Sequence, residues 1–66
     1  MEFRIREKRE EAGLTQIQLA KESGVSRSII SGLESGAITV TTTETLSKIA
    51  KALKVSIGEI FFEQKV

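Results

Sequence analysis

The same local signature occurs three times in the sequence and predicts three helix starts. Thr15 is followed three residues later by Gln18, so the hydroxyl can accept from a backbone amide while the Gln18 side chain reaches back, as in a capping box. Leu14 and Leu19 flank the box at the spacing of a hydrophobic staple. The other two copies are Ser26 with Val25 and Ile30, and Ser56-x-x-Glu59 with Val55 and Ile60.

A helix is also expected before the first of these caps. It covers about Glu2 to Ala12 and ends at Gly13, which can adopt the left-handed conformation of a helix C-terminus. We expect Ile5, Ala12 and the stem of Arg9 to face inward.

A fourth helix is predicted from Thr43 to Leu53, capped by Thr41 or Thr42. Its apolar residues recur at the spacing of a buried stripe, namely Leu46, Ile49, Ala50 and Leu53. The preceding stretch, residues 35–42, is rich in β-branched residues and poor in helix formers. It predicts a partly extended loop, with a short strand as the alternative.

These elements predict an all-α fold, a compact five-helix bundle with room for a short extended segment at the C-terminus. The chain has 66 residues and begins with Met1, and we expect one complete domain over residues 1–66. A chain of this length buries only about 60% of its unfolded surface. It contains no Cys and no His, so disulfides and the usual zinc sites are excluded.

Composition also narrows the classes of function. Neither a signal peptide nor an apolar run of membrane-spanning length is visible, which predicts a cytoplasmic protein with no membrane partner. Without His, Cys or a nucleophile–base pair we expect no enzyme, no cofactor and no metal. The net charge of +1 is weak support for nucleic acid as a partner, because lysines and arginines supply most sequence-independent affinity.

The connection between the second and third helices carries the main functional signal. Ser23-Gly24-Val25 is too short for an antiparallel hairpin, and a tight turn centred on Gly24 crosses two helices steeply, as in a helix-turn-helix. Gly24 can take a positive φ, and Ala20 is small where the two helices touch. The predicted motif covers residues 16–35.

The run from Gln16 to Gly36, QIQLAKESGVSRSIISGLESG, resembles the phage repressor and Cro-like (XRE) family of transcriptional regulators. Residues 44–53 and 55–61 are similar to the fourth and fifth helices of that family, so the resemblance covers about Ile5 to Phe61. It implies a five-helix fold of the lambda-repressor type. It also implies sequence-specific binding of double-stranded operator DNA, commonly as a two-fold dimer, and we expect a repressor.

The N-terminal residues of the third helix are then expected to face the major groove. Arg27 can donate twice to guanine, and Ser28 can reach a base edge or a phosphate. Ser31 and Gly32 lie one turn further on, where Gly32 permits close approach. Ile29 either touches a thymine methyl or is partly buried against the second helix.

Contacts with the DNA backbone are expected on both sides of this helix. For Gln16 the resemblance implies a phosphate contact and sometimes a base contact, with a solvated first-turn residue as the alternative. Residues 37–43 hold no charge, unlike the loop of many relatives, so affinity and its salt dependence should be modest. The groups left to bind there are the amides of Gly36 and Ala37 and the hydroxyls of Ser35, Thr39 and Thr41.

The resemblance further implies a structural, largely buried salt bridge between Arg9 and Glu34. Breaking such a pair costs about 3–5 kcal/mol because the remaining charge is stranded. Arg4, Arg6 and Lys8 alternate with glutamates and are expected to form a solvated helix face, with a phosphate contact as the alternative.

The C-terminal residues suggest how the chain dimerises. One such domain buries only about 600–1,000 Å² on DNA, so high specificity calls for two copies. Ile60, Phe61 and Phe62 are consecutive, and one helical face cannot bury all three. We expect Phe61 in the core and Phe62, with the tail to Val66, at a dimer interface; the alternative is a monomer with a frayed tail.

Two other functions remain open at this point. The chain could be the DNA-binding antitoxin of a toxin pair, which adds a protein partner. It could also be a protein-interaction module that kept the fold without binding DNA, an alternative that the low net charge favours and Arg27 opposes.

Overall fold

The computed structural model of the chain describes residues 2–62, which form five helices and two short strands. The helices are α1 (Ile5–Glu11), α2 (Gln16–Ser23), α3 (Arg27–Ser35), α4 (Thr43–Leu53) and α5 (Ile57–Ile60). The strands are β1 (Glu2–Phe3) and β2 (Phe61–Phe62), which pair antiparallel. The expected five-helix fold and the extended segment near the C-terminus are confirmed.

Polar side chains begin the helices at the positions that the caps predict. Thr15 Oγ1 accepts from the Gln18 amide at 3.1 Å, and Gln18 Oε1 accepts from the Thr15 amide at 2.8 Å. Ser26 Oγ accepts from the Ile29 amide at 3.3 Å. At the start of α4 the cap is Thr42 rather than Thr41, and Thr42 Oγ1 accepts from the Thr45 amide at 3.1 Å. At the start of α5 the cap is Ser56, whose amide donates to Glu59 Oε2 at 2.9 Å.

The first helix is shorter than expected, because the chain before it forms a strand. Phe3 pairs with Phe61 in the two-stranded sheet, and the Arg4 amide donates to the Ile60 carbonyl at 2.8 Å. Helix α1 therefore starts at Ile5 rather than Glu2. Ala12, expected to face inward, lies beyond the end of α1 and is exposed.

Apolar residues from all five helices and the turn after α2 form one core. Helix α2 packs against α3 and α4, and α4 also packs against α1 and α5. The fully or nearly fully buried residues are Ile5, Leu19, Val25, Ile30, Leu33, Leu46, Ile49, Ala50, Leu53 and Ile60. This core holds α2 and α3 in a fixed relative position.

Residues 38–42, between α3 and α4, contain no strand and form an irregular loop. The expected loop is therefore present, and the alternative strand is not. None of the helices within residues 2–62 is long and apolar enough to cross a membrane.

Candidate nucleic-acid interface

The turn between α2 and α3 is built on Gly24. Its φ of +75° lies in the left-handed region, which glycine adopts without the steric penalty of a Cβ. The Gly24 amide donates to the Ala20 carbonyl at 2.9 Å, which ends α2. Ala20 is half-buried and packs against the core. The tight turn centred on Gly24 that the sequence predicts is therefore present.

Ser23 adds a support to this turn that the sequence pattern did not indicate. Its side chain is buried, and its Oγ accepts from the Val25 amide at 3.1 Å. A serine two residues before a turn amide is a common local motif, which is the signal that could have identified it. Val25 is thereby held with its side chain in the core.

The structure brings five of the proposed DNA-contacting residues together along one open depression. Arg27 and Ser28 are exposed in the first turn of α3, next to the Ser26 cap. The residues lining the depression are Arg27, Ser28, Ser31, Gly32, Ser35 and Ala37. This surface is polar, open to solvent and formed almost entirely by one face of α3.

Ile29 lies outside that depression and stays on the surface. Ile29 as a whole residue is 37% exposed, whereas its neighbour Ile30 is completely buried. Partial burial and availability to a thymine methyl are both compatible with this exposure.

Gly32 has a structural partner that the sequence did not reveal. A Cβ built on Gly32 would come within 2.5 Å of Ile38 Cδ1 and 2.7 Å of Ile38 Cγ1. In addition, the Ile38 amide donates to the Gly32 carbonyl at 2.9 Å. A glycine inside a helix costs about 0.5–1 kcal/mol relative to alanine, and that cost was the available signal. The glycine makes room for the following loop to pack on α3.

The end of α3 is tied to the loop by short-range contacts. Ser35 Oγ donates to the Gly32 carbonyl and accepts from the Ala37 amide, both at 3.3 Å. Gly36, with a φ of +88°, ends the helix. The Ser35 hydroxyl is thus engaged within the chain, although the residue itself remains exposed.

Arg9 and Glu34 form a bidentate ion pair between α1 and α3. Arg9 Nε donates to Glu34 Oε2 at 2.8 Å, and Arg9 Nη2 donates to Glu34 Oε1 at 3.0 Å. The Glu34 side chain is completely buried, and that of Arg9 is 13% exposed. Arg9 Nη1 also donates to the Leu14 carbonyl at 2.8 Å. The pair therefore joins α1, α3 and the turn before α2.

Two further donors reach the same carboxylate. Gln16 Nε2 donates to Glu34 Oε1 at 3.1 Å, and Arg6 Nε donates to it at 3.3 Å. The half-buried Gln16 thus contacts a protein carboxylate in the free chain, and Arg6 is not purely a solvated surface cation. Sequence reasoning missed both contacts, since nothing local links residues 18 and 28 positions apart.

This environment shifts both pKa values in the direction that favours the charged forms. Burial raises the pKa of the Glu34 carboxyl, but hydrogen bonds from Arg9 and Gln16 and the Arg9 charge outweigh it, and the pKa lies below its ordinary value. The hydrogen bond to Glu34 raises the pKa of Arg9. Glu34 is therefore ionised at neutral pH.

The proposed dimer residue is only partly covered by the structure. The Phe62 side chain and residues 63–66 lie outside the described part of the chain, so the interface expected there stays a prediction. Phe61, expected in the core, is half-buried and packs against its edge, with its ring centroid 6.0 Å from that of Phe3. Within residues 2–62 no group of three or more acidic side chains could hold a metal ion.

A family model described as helix-turn-helix matches residues 5–60, from the start of α1 to the end of α5. No curated protein and no solved structure matches the chain.

Proposed function

Since the chain belongs to the helix-turn-helix family of DNA-binding regulators, of the Cro/C1 (XRE) type, we propose that it binds a specific operator and represses transcription as a homodimer. The observation that carries this proposal is the open polar surface on α3. Arg27 and Ser28 are exposed directly after a rigid turn, and Ser31 follows on the same face. Reading helices of this motif present their N-terminal residues to base edges in the major groove.

Within this proposal Arg27 is the main base-reading residue, because its fork can donate to guanine O6 and N7 together. Ser28 and Ser31 contact base edges or phosphates, and Ile29 contacts a thymine methyl. Hydroxyl groups both donate and accept, and therefore discriminate poorly between bases. Specificity consequently depends mainly on one arginine in each half-site.

Contacts with the DNA backbone lie on both sides of α3. Gln16 contacts a phosphate at the start of α2, with its amide oriented by Glu34. On the other side, Gly32 and Ser35 near the end of α3 and Gly36 directly after it contribute uncharged backbone and hydroxyl groups, although Ile38 covers the Cα of Gly32. With so few cations, we expect a shallow dependence of affinity on salt concentration.

The small size of one reading surface supports the proposed homodimer. Two copies place two α3 helices in half-sites about 34–36 Å apart. We propose that Phe62 and the tail after it form the interface, because Phe61 already occupies the edge of the core. Sedimentation should show a dimer that Phe62→Ser weakens, and a monomer alone at high concentration would contradict the dimer.

DNA binding is tested by selecting duplexes from a random pool with the wild-type protein. The proposal expects a single enriched motif with two-fold symmetry and with a G·C pair repeated in each half. Recovery of no enriched sequence would contradict operator binding and favour a module that binds only protein. Co-purification of a second small protein would instead favour an antitoxin.

A further inference from the structure

We infer that Arg6 is a further contact to the DNA backbone, and that it binds one phosphodiester together with Gln16. The two side chains are held side by side because both donate to the same atom, Glu34 Oε1. The inference rests on the proposed DNA binding and adds a ligand site to it. Its ligand is a phosphate of duplex DNA.

The local charge leaves Arg6 available for such an anion. Arg9 alone satisfies both oxygens of Glu34 and is 13% exposed. Arg6 brings a second guanidinium to a carboxylate that is already neutralised. At Glu34 itself two guanidiniums thus face one carboxylate, and Arg6 is the more exposed of the two, with 59% of its side chain exposed.

The hydrogen bonds of Arg6 also leave it available to a phosphate. It uses only Nε, at 3.3 Å, to reach Glu34, and its two terminal nitrogens donate to no residue within the described part of the chain. A guanidinium held by one edge presents its other donors in a fixed geometry that suits a phosphate. The bond to Glu34 thus orients Arg6 while leaving its phosphate-binding groups exposed.

Gln16 is oriented by the same oxygen. An ionised carboxylate accepts and does not donate, so the amide nitrogen of Gln16 must face Glu34. The second N–H of that amide stays available for a phosphate oxygen. Arg6 then supplies the charge and Gln16 a neutral donor.

Acidic residues restrict where the phosphate can bind. The depression beside Arg6 is lined by the carboxylates of Glu7, Glu10, Glu11 and Glu34 and by the guanidiniums of Arg4 and Arg6. Four carboxylates outnumber two guanidiniums there and disfavour an anion. We therefore place the phosphate outside this depression, next to Gln16.

The test compares Arg6→Gln with Lys51→Gln on a duplex that the wild-type protein selects. Both variants remove one exposed positive charge, and Lys51 lies on α4. For Arg6→Gln we expect the slope of log K against log salt to become shallower by about 0.9, the value for one lost phosphate contact. For Lys51→Gln the slope should stay at the wild-type value. Urea unfolding should show that Arg6→Gln folds normally.

A double-variant cycle tests whether Arg6 and Gln16 share one phosphate. If they do, Arg6→Gln combined with Gln16→Ala should weaken binding less than the product of the two single effects. Independent effects would overturn the shared site.

The outcomes separate this inference from the proposed function. If the wild-type protein selects a duplex but Arg6→Gln keeps the wild-type slope, or both charge variants shift it equally, DNA binding stands and the Arg6 site is wrong. If the wild-type protein selects no duplex, both fail.

Discussion

Ile38 packs directly on the bare Cα of Gly32, so that the loop after α3 lies against the helix that carries Arg27. A Cβ on Gly32 would approach Ile38 Cδ1 to 2.5 Å and Cγ1 to 2.7 Å. Ile38 also packs against the core. Rotation of Ile38 about χ1 would move both atoms away from such a Cβ, but it would also change the packing of Ile38 against the core.

Gly32→Ala is therefore expected to destabilise the protein, although alanine is the better helix former. Overpacking of this kind costs about 1–3 kcal/mol, whereas the gain in helix propensity is about 1 kcal/mol. We expect a net loss of roughly 1 kcal/mol in the free energy of unfolding, measured by urea denaturation.

The matched control shortens Ile38, the side chain that an alanine at position 32 would contact. In an Ile38→Ala background, Gly32→Ala should be neutral or stabilising, because the clash is gone and only the helix propensity remains. Equal losses in both backgrounds would show that Ile38 is not the reason for the glycine.

Loss of Arg9 should be far more damaging than loss of Arg6. Arg9→Met leaves the buried Glu34 carboxylate without its bidentate partner, at a cost of about 3 kcal/mol. Arg6→Met removes an exposed contact worth about 0–1 kcal/mol. Urea midpoints of the two variants measure the difference.

Replacing both Arg9 and Glu34 tests whether the stranded carboxylate causes the loss of stability in Arg9→Met. Arg9→Met combined with Glu34→Leu strands no charge, and should recover most of the stability lost in Arg9→Met. If the double variant is as unstable as Arg9→Met, the loss comes from packing of the Arg9 stem rather than from the stranded carboxylate.

Stability should decrease in acid because Glu34 has a lowered pKa. A carboxyl group with a lower pKa in the folded state stabilises the fold above its unfolded pKa, and this contribution is lost as pH falls through the folded value. We expect a constant urea midpoint from about pH 8 to 6 and a decline below about pH 4.5, the ordinary value for glutamate. The exposed Glu59 carboxyl, whose pKa the Ser56 amide lowers, acts in the same direction.

The variant that lacks Glu34 serves as the comparison. Arg9→Met combined with Glu34→Leu should lose less stability between pH 6 and 3 than the wild-type protein does. Parallel loss in both proteins would assign the acid sensitivity to other carboxyl groups.

The sequence predicted those parts of the fold that depend on neighbouring residues. The Thr15 box, the Ser26 cap and the left-handed Gly24 each involve residues within three or four positions of one another, and all are present. Strand β1 was missed because Phe3 pairs with Phe61, almost a whole chain length away. The local sequence pattern therefore wrongly predicted that the first helix begins at Glu2.

In the candidate site, too, local features could be predicted from the sequence and contacts between distant residues could not. The exposed face of α3 follows from helix periodicity once Ser26 fixes its start. In contrast, the contacts of Glu34 with Arg6 and Gln16, and of Ile38 with Gly32, depend on how separate elements pack. These contacts are the ones that orient the proposed backbone-binding groups.

The central claim is that α3 reads DNA chiefly through Arg27, and a base-by-base comparison of wild-type and Arg27→Ala binding tests it most directly. Affinities are measured for the selected duplex and for every single base-pair substitution in one half-site. Arg27→Ala is expected to lose about 1–3 kcal/mol of binding free energy. Discrimination between bases should disappear at one G·C pair, while other positions keep theirs. Equal weakening on all duplexes, with discrimination unchanged, would contradict it and make Arg27 a phosphate contact.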